Sequence, residues 1–141
     1  LRVRPQTTVE LAEVVRSCVR RSKDGLDPAT RTFQALRICV NQETQELDRL
    51  LDAIPRVLIE HGIFLAISFH SLEDRAVKQR MREWTRGCVC PPALPVCVCD
   101  KRPLMRLVTR RPLTPDASEI AANRRASSAK LRIAARLGGL S

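Results

Sequence analysis

The 141-residue sequence predicts an α/β fold with an antiparallel finish. Three observations predict it. Residues 63–69, IFLAISF, form an unbroken apolar run of strand length, as in a parallel strand buried on both faces. Apolar residues recur at helical spacing before that run and after it. Two later stretches, LMRLVTR (104–110) and KLRIAAR (130–136), alternate apolar with basic or polar residues, as half-exposed strands do.

The elements follow in order. TTVELAEVVRSCVRR (7–21) sets Val9, Leu11, Val14, Val15 and Cys18 at helical spacing. Thr7 or Thr8 caps it, and Thr7 with Glu10 makes a capping box. SKDGLDP reads as a loop. Asp27 caps a second helix, with Pro28 at its first position. This helix runs on through residue 54, with Phe33, Leu36, Val40, Leu47, Leu51 and Ile54 as its apolar stripe. Pro55 kinks or restarts it, and His61-Gly62 ends it. After the apolar strand, Ser71 is expected to cap a third helix, with Asp74 three residues on. Leu72, Ala76, Val77, Met81 and Trp84 form its buried side. Residues 87–103 are a loop rich in Cys and Pro. Thr114 and Pro115 open a short helix between the last two strands.

Composition bounds the function. Apolar content of 44% is globular. No apolar run approaches the ~18 residues of a membrane span, so no membrane partner is expected. Six cysteines without a secretory signal point to a reducing cytoplasm. The sequence opens on Leu1 rather than Met, so a preceding segment is expected. Residues 101–141 carry ten basic against two acidic groups, most of the net +10. That imbalance suits a polyanion, nucleic acid first. Aromatics at 3%, with no Tyr, argue against base-stacking platforms.

Four motifs carry chemistry. ISFHSLEDR (67–75) delivers His70, Ser71 and Arg75 to a strand tip. Ligands of open α/β sheets bind beyond the carboxyl ends of strands, so these three are candidate pocket-lining groups; an ordinary helix cap is the other reading. In TRTFQALR, Arg31 and Arg37 lie with Gln34 on roughly one helix face, either solvated or facing RNA or the cofactor end of the sheet. Arg106, Arg110, Arg111, Arg124, Arg125, Lys130 and Arg132 form the basic tail set, either surface charge or phosphate contacts. In CVCPPALPVCVC (88–99), Cys88 and Cys90 share one face of an extended strand, and Cys97 and Cys99 share another. The six residues between allow a turn-back that brings four thiols around one structural zinc. Unligated thiols or a disulfide are the alternatives.

With DPATRTFQALRICVNQE, AISFHSLEDRAVK, CVCPPALPVCVC and EIAANRRASSAKLRIA present in that order, the chain resembles the C-terminal half of the bacterial small-subunit ribosomal RNA methyltransferases that act on N4 of a cytosine. The resemblance covers roughly residues 3–136. It departs where His61-Gly62 replace a usual glycine pair and Arg124 a usual proline. It implies a partial class I, Rossmann-like methyltransferase sheet with an antiparallel C-terminal hairpin. Residues 1–30 would be the tail of a helical substrate-recognition insert and 31–141 the C-terminal half of the methyltransferase domain. It also implies S-adenosyl-L-methionine as cofactor, 16S rRNA in the small ribosomal subunit as partner, and an N-terminal half of the same enzyme. None of the five glycines stands in a strand, Gly-rich turn, helix context. The chain alone is therefore expected to lack the cofactor site and to be inactive. The alternatives are a non-catalytic basic RNA- or ribosome-binding module, and a small zinc-stabilised interaction protein.

Overall fold

A computed structural model describes residues 4–21, 25–91 and 96–138. They divide into two compact units, Leu1–Gln45 and Glu46–Ser141.

The first unit holds α1 (Thr8–Cys18) and α2 (Pro28–Asn41). The predicted caps stand. Thr7 Oγ1 accepts from the Glu10 N–H at 3.2 Å, and Asp27 Oδ1 from the Ala29 N–H at 2.9 Å. The Glu10 carboxylate reaches back one residue further than a capping box requires, accepting from the Gln6 N–H at 2.7 Å. Asp27 is also gripped by Arg16 at 2.8 and 3.0 Å, which holds its carboxyl below the usual range. Among the described residues of this unit only small ones are buried, Ala12, Pro28 and Ala29. The predicted stripe is uncovered at Leu36 and Val40, which are exposed.

The single helix expected through residue 54 is two helices. Gln42 adopts a left-handed conformation (φ 53°), ends α2, and lets α3 (Glu43–Val57) begin. Pro55 lies inside α3 near its end, where a missing backbone donor costs little of the ladder. α3 stops at Val57, short of the predicted His61-Gly62. That pair instead forms the turn into the strand, with His61 at φ 59°. A Cβ at Gly62 would lie 2.8 Å from both Ile59 O and Leu58 Cγ, so only glycine fits.

The second unit is a three-stranded sheet, β1 (Ile63–Ser68), β2 (Met105–Leu107) and β3 (Lys130–Arg136), in the order β1-β3-β2. β3 has the limits predicted for it. β1 pairs antiparallel with β3, from Ile63↔Ala135 to Ser68↔Lys130. β2 also pairs antiparallel with β3, so β1 and β2 run in the same direction on either side of it. Among the described residues, the neighbour of β1 is therefore antiparallel and one of its faces is bare, where a parallel strand buried on both faces was expected. Ile63, Leu65 and Ile67 are exposed, while Phe64 and Ala66 pack on the core and Ser68 is buried.

β2 is shorter than predicted. The amides of Val108 and Thr109 both point at Ile133 O, at 3.0 and 3.5 Å. Two amides on one carbonyl is a bulge-like pattern that stops the ladder. Pairing resumes at Leu113↔Leu131.

α4 (Ser71–Thr85) covers one sheet face through Val77, Met81 and Trp84. These three join Leu51 of α3, Met105 and Ala134 in the core, and Phe64 meets Trp84 edge-on at 5.5 Å. Leu72, predicted on the buried side, is exposed. Arg80 ties α4 to Asp52 of α3 at 2.6 Å. The Arg136 guanidinium ties β3 to Leu58 O, just past α3. The last helix, α5 (Ala117–Ala122), starts later than predicted. Its cap is Asp116 rather than Thr114, because the Asp116 carboxylate accepts from both Glu119 N and Ser118 Oγ, at 2.8 and 2.6 Å. A 3-10 turn, Arg124–Ser128, leads into β3.

Candidate functional site

Three clusters in the second unit concern function: the tip of β1, a basic cavity beside α4, and the cysteine loop.

At the strand tip, His70 caps α4, one residue before the predicted Ser71. Its Nδ1 accepts from the Glu73 N–H at 3.3 Å, and Glu73 Oε2 accepts from the Phe69 N–H at 3.0 Å. HSLE thus resembles a capping box with histidine in the serine role, except that Glu73 reaches back one residue past the cap, as Glu10 does in α1. The imidazole reaches the N3 amide, while Ser71 is already helical and its side chain exposed. The geometry fixes the tautomer. With Nδ1 accepting, the proton sits on Nε2. Nε2 lies 3.1 Å from Glu73 Oε1, but the angle forms no hydrogen bond. It is a buried donor without a hydrogen-bond partner among the described residues. Arg75 is exposed on the next positions of α4. His70→Ala is expected to cost ~1 kcal/mol through the lost cap, and Ser71→Ala less than ~0.5 kcal/mol. Thermal melts of the two variants check the order; equal losses would return the cap to Ser71.

Asp74, one turn along, receives Arg132 in two bonds, Nε–Oδ1 at 2.7 Å and Nη2–Oδ2 at 3.2 Å, with both side chains 13% exposed. Lys130 Nζ adds a contact at 3.6 Å. Two residues expected to meet RNA are therefore held by an internal carboxylate. In the first unit, Arg37 is likewise paired, bidentate on Glu43 at 2.9 and 3.2 Å, and Arg31 is exposed on α2.

The other basic residues of the tail, Arg106, Arg110, Arg111, Arg124 and Arg125, are exposed. Arg110 shares with Lys78, Arg82 and Arg132 a cavity of about 60 Å³. Thr109 Oγ1 is among its lining, buried and without a hydrogen-bond partner among the described residues. Lys78 and Arg82 were missed in the sequence. At i and i+4 on α4 they read as an ordinary solvated face, and only the sheet edge behind them makes them a site.

The connection from α4 to β2 closes on itself where Leu104 N–H donates to Trp84 O at 2.7 Å. Within it the four cysteines converge. Cys97 Sγ is 3.4 Å from Cys88, 3.9 Å from Cys90 and 3.5 Å from Cys99, and Cys99 is 3.8 Å from Cys88. All four sulfurs lie within 4.8 Å of one another. The amides of Val89 and Cys90 donate to Cys99 Sγ and Cys88 Sγ, at 3.4 and 3.3 Å. The Val89 N–H, then the Lys101 N–H, pull the Cys99 thiol down to about 6. For Cys88 the Cys90 N–H acts in the same sense, but the thiols of Cys97, Cys90 and Cys99 outweigh it and push the group up to about 12. The turn-back expected at PPALPV falls largely outside the described residues.

No described strand leads through a Gly-rich turn into a helix. No described helix is long and apolar enough to cross a membrane.

A family model for the MraW methylase family matches residues 2–137. The chain is similar to proteins named ribosomal RNA small subunit methyltransferase H. One, from a Geobacter species, is 49% identical over 130 residues, covering 91% of this chain and 42% of the relative. Another, from Oleidesulfovibrio alaskensis, is 50% identical over 135 residues, covering 94% and 42%. A third, from Nitratidesulfovibrio vulgaris, is 53% identical over 131 residues, covering 91% and 41%. The chain thus spans less than half the length of these relatives.

Proposed function

Because the chain belongs to the MraW methylase family, we propose that it is one part of an S-adenosylmethionine-dependent enzyme that methylates small-subunit (16S) ribosomal RNA at N4 of a cytosine. The observation that carries this reading is an identity near one half, over almost the whole chain, to proteins named as small-subunit ribosomal RNA methyltransferases; the cytosine N4 position rests on the motif resemblance alone. In this reading residues 1–30 are the tail of a helical insert and 31–141 the C-terminal half of a class I methyltransferase domain. Two features of the second unit support it. β1 lies at the edge of the sheet, and its bare face carries Ile63, Leu65 and Ile67. An unpaired edge and an apolar face are what a larger sheet and its covering helices would bury. An antiparallel strand at the end of an otherwise parallel sheet is also common in doubly wound folds. The remaining half of the enzyme is then the partner of this edge and holds the cofactor. An rRNA substrate implies a cytoplasmic enzyme.

The chain's own contribution is recognition. His70 Nε2–H is a donor, so it does not take a proton from the cytosine amine, as a neutral imidazole with a free acceptor would. It suits a ring acceptor of the base or a phosphate oxygen, with Ser71 and Arg75 beside it at the same strand tip. The cavity of Lys78, Arg82 and Arg110 around the unpaired Thr109 hydroxyl suits a phosphate of the RNA backbone. Arg106, Arg111, Arg124 and Arg125 extend the basic surface. Arg31 and Arg37 of the first unit are assigned to RNA contact on the same reading, Arg37 by exchanging Glu43 for a phosphate.

The test uses the intact protein, small ribosomal subunits and methyl-labelled cofactor, with the modified nucleotide mapped by mass spectrometry. One methyl on a cytosine N4 is expected, and none with the 141-residue chain alone. Methyl on any other atom overturns the assignment. His70→Ser keeps a capping side chain, so its turnover should fall without a matching loss of stability. Lys78→Ala and Arg110→Ala should each weaken subunit binding and lower its log–log salt slope by ~0.7–0.9. An unchanged slope removes the phosphate role.

A further inference from the structure

We propose that Cys88, Cys90, Cys97 and Cys99 hold one structural zinc ion, which fixes the connection between α4 and β2. The inference stands on the sulfur geometry and is independent of the RNA reading. Four sulfurs around a single ion at Zn–S ~2.3 Å define a tetrahedron with edges of ~3.8 Å. The four edges measured here are 3.4, 3.5, 3.8 and 3.9 Å. The other two fall within 4.8 Å. Sulfurs this close leave room for one ion, not for the several irons of a cluster. All-thiolate, tetrahedral ligation suits Zn(II).

The chain around the sulfurs agrees. The described residues between 86 and 104 form no helix or strand, and a connection of that length needs something to order it. Among the described residues nothing apolar does so: Val89, Val96 and Val98 are exposed. Hydrogen bonds across the loop go to sulfur, from Val89 to Cys99 and, locally, from Cys90 to Cys88. Such N–H donors stabilise thiolate charge and orient metal-bound sulfur. The single-residue spacer is no obstacle, since Cys97 Sγ and Cys99 Sγ already lie 3.5 Å apart. Binding replaces whatever protons the four thiols still hold, which pass to solvent, and involves no change of oxidation state. Four sulfurs leave no open position for water, so the ion is structural rather than catalytic.

The experiment measures metal in the intact protein, purified with reductant and without chelators. One zinc per chain is expected. Exchange for Co(II) should give the intense visible bands of tetrahedral thiolate ligation. Cys90→Ser and Cys97→Ser should each lose most of the zinc, while Cys18→Ser and Cys39→Ser keep it. Stripping the ion should open residues 86–104 to protease before the rest of the chain. Zinc well below one per chain with four fast-titrating thiols overturns the site. So does iron in its place, or a disulfide among the four under reducing conditions. The Co(II) spectrum of the unmutated protein decides the matter even where a cysteine variant fails to fold.

Discussion

Trp84→Ala should destabilise the second unit by ~3–5 kcal/mol, the range for emptying an aromatic site in a packed core. The indole is 4% exposed and meets Val77, Met81, Leu51, Met105 and Ala134 in one cluster. It also loses an edge-to-face partner, since Phe64 sits at 5.5 Å with the rings at 78°, a pairing worth ~0.5–1.5 kcal/mol beyond area. A domain has only ~5–15 kcal/mol to lose. Within the described residues, two helices and one face of a short sheet enclose the site, so little else can collapse into the cavity. Denaturant melts of the intact protein, followed by far-UV circular dichroism, should show the midpoint falling steeply. Trp84→Phe, which keeps an aromatic ring against Phe64, should lose less than half as much. A loss below ~1 kcal/mol for Trp84→Ala would mean that the side chain is not the centre of this core.

The parts of the fold governed by local rules were legible. Thr7 and Asp27 cap their helices because short polar side chains reach nearby amides. β3 spans 130–136, where the alternating KLRI start marks a strand and Arg136 closes its apolar end. What was not legible depends on partners distant in sequence. Gln42 breaks a helix with neither Gly nor Pro to announce it. The 63–69 run is apolar throughout, which says that both faces prefer cover, but not that its neighbour β3 runs antiparallel. The cap at His70 was hidden by the better cap former at Ser71, and only the reach of the imidazole decides between them.

The candidate sites divide along the same line. The convergence of four sulfurs was readable, because the period of an extended strand places i and i+2 together. The cavity at Thr109 was not, because its two α4 residues join it only through the fold. Arg132 misled for the opposite reason. Alternation puts it on one face of β3, and a basic tail suggests that this face is solvated. Yet that face lies against α4, where Asp74 waits.

Arg132→Ala should therefore cost ~3 kcal/mol of stability, the low end of the range for stranding one partner of a buried pair, since both side chains keep 13% exposure. Asp74→Ala should cost about as much, and the double variant clearly less than the two together, with a coupling of ~1–3 kcal/mol. The pair also carries a pH signature. Arg132, with Lys130 behind it, holds the Asp74 carboxyl below its ordinary value, against the opposing effect of burial. A carboxyl depressed in the folded state binds its proton more readily when unfolded. Its stabilisation is then complete above the unfolded value of ~3.9 and is lost as pH falls through the lower folded one. Asp27 and Asp116 are depressed as well, but they keep their partners in the variant. The stability difference between unmutated protein and Asp74→Ala should thus be flat from pH 7 to about 5 and shrink below ~4. Melts across that range measure it. If Arg132→Ala instead leaves the melt unchanged and weakens binding to small ribosomal subunits, Arg132 is an RNA contact after all, and Asp74 is merely its neighbour.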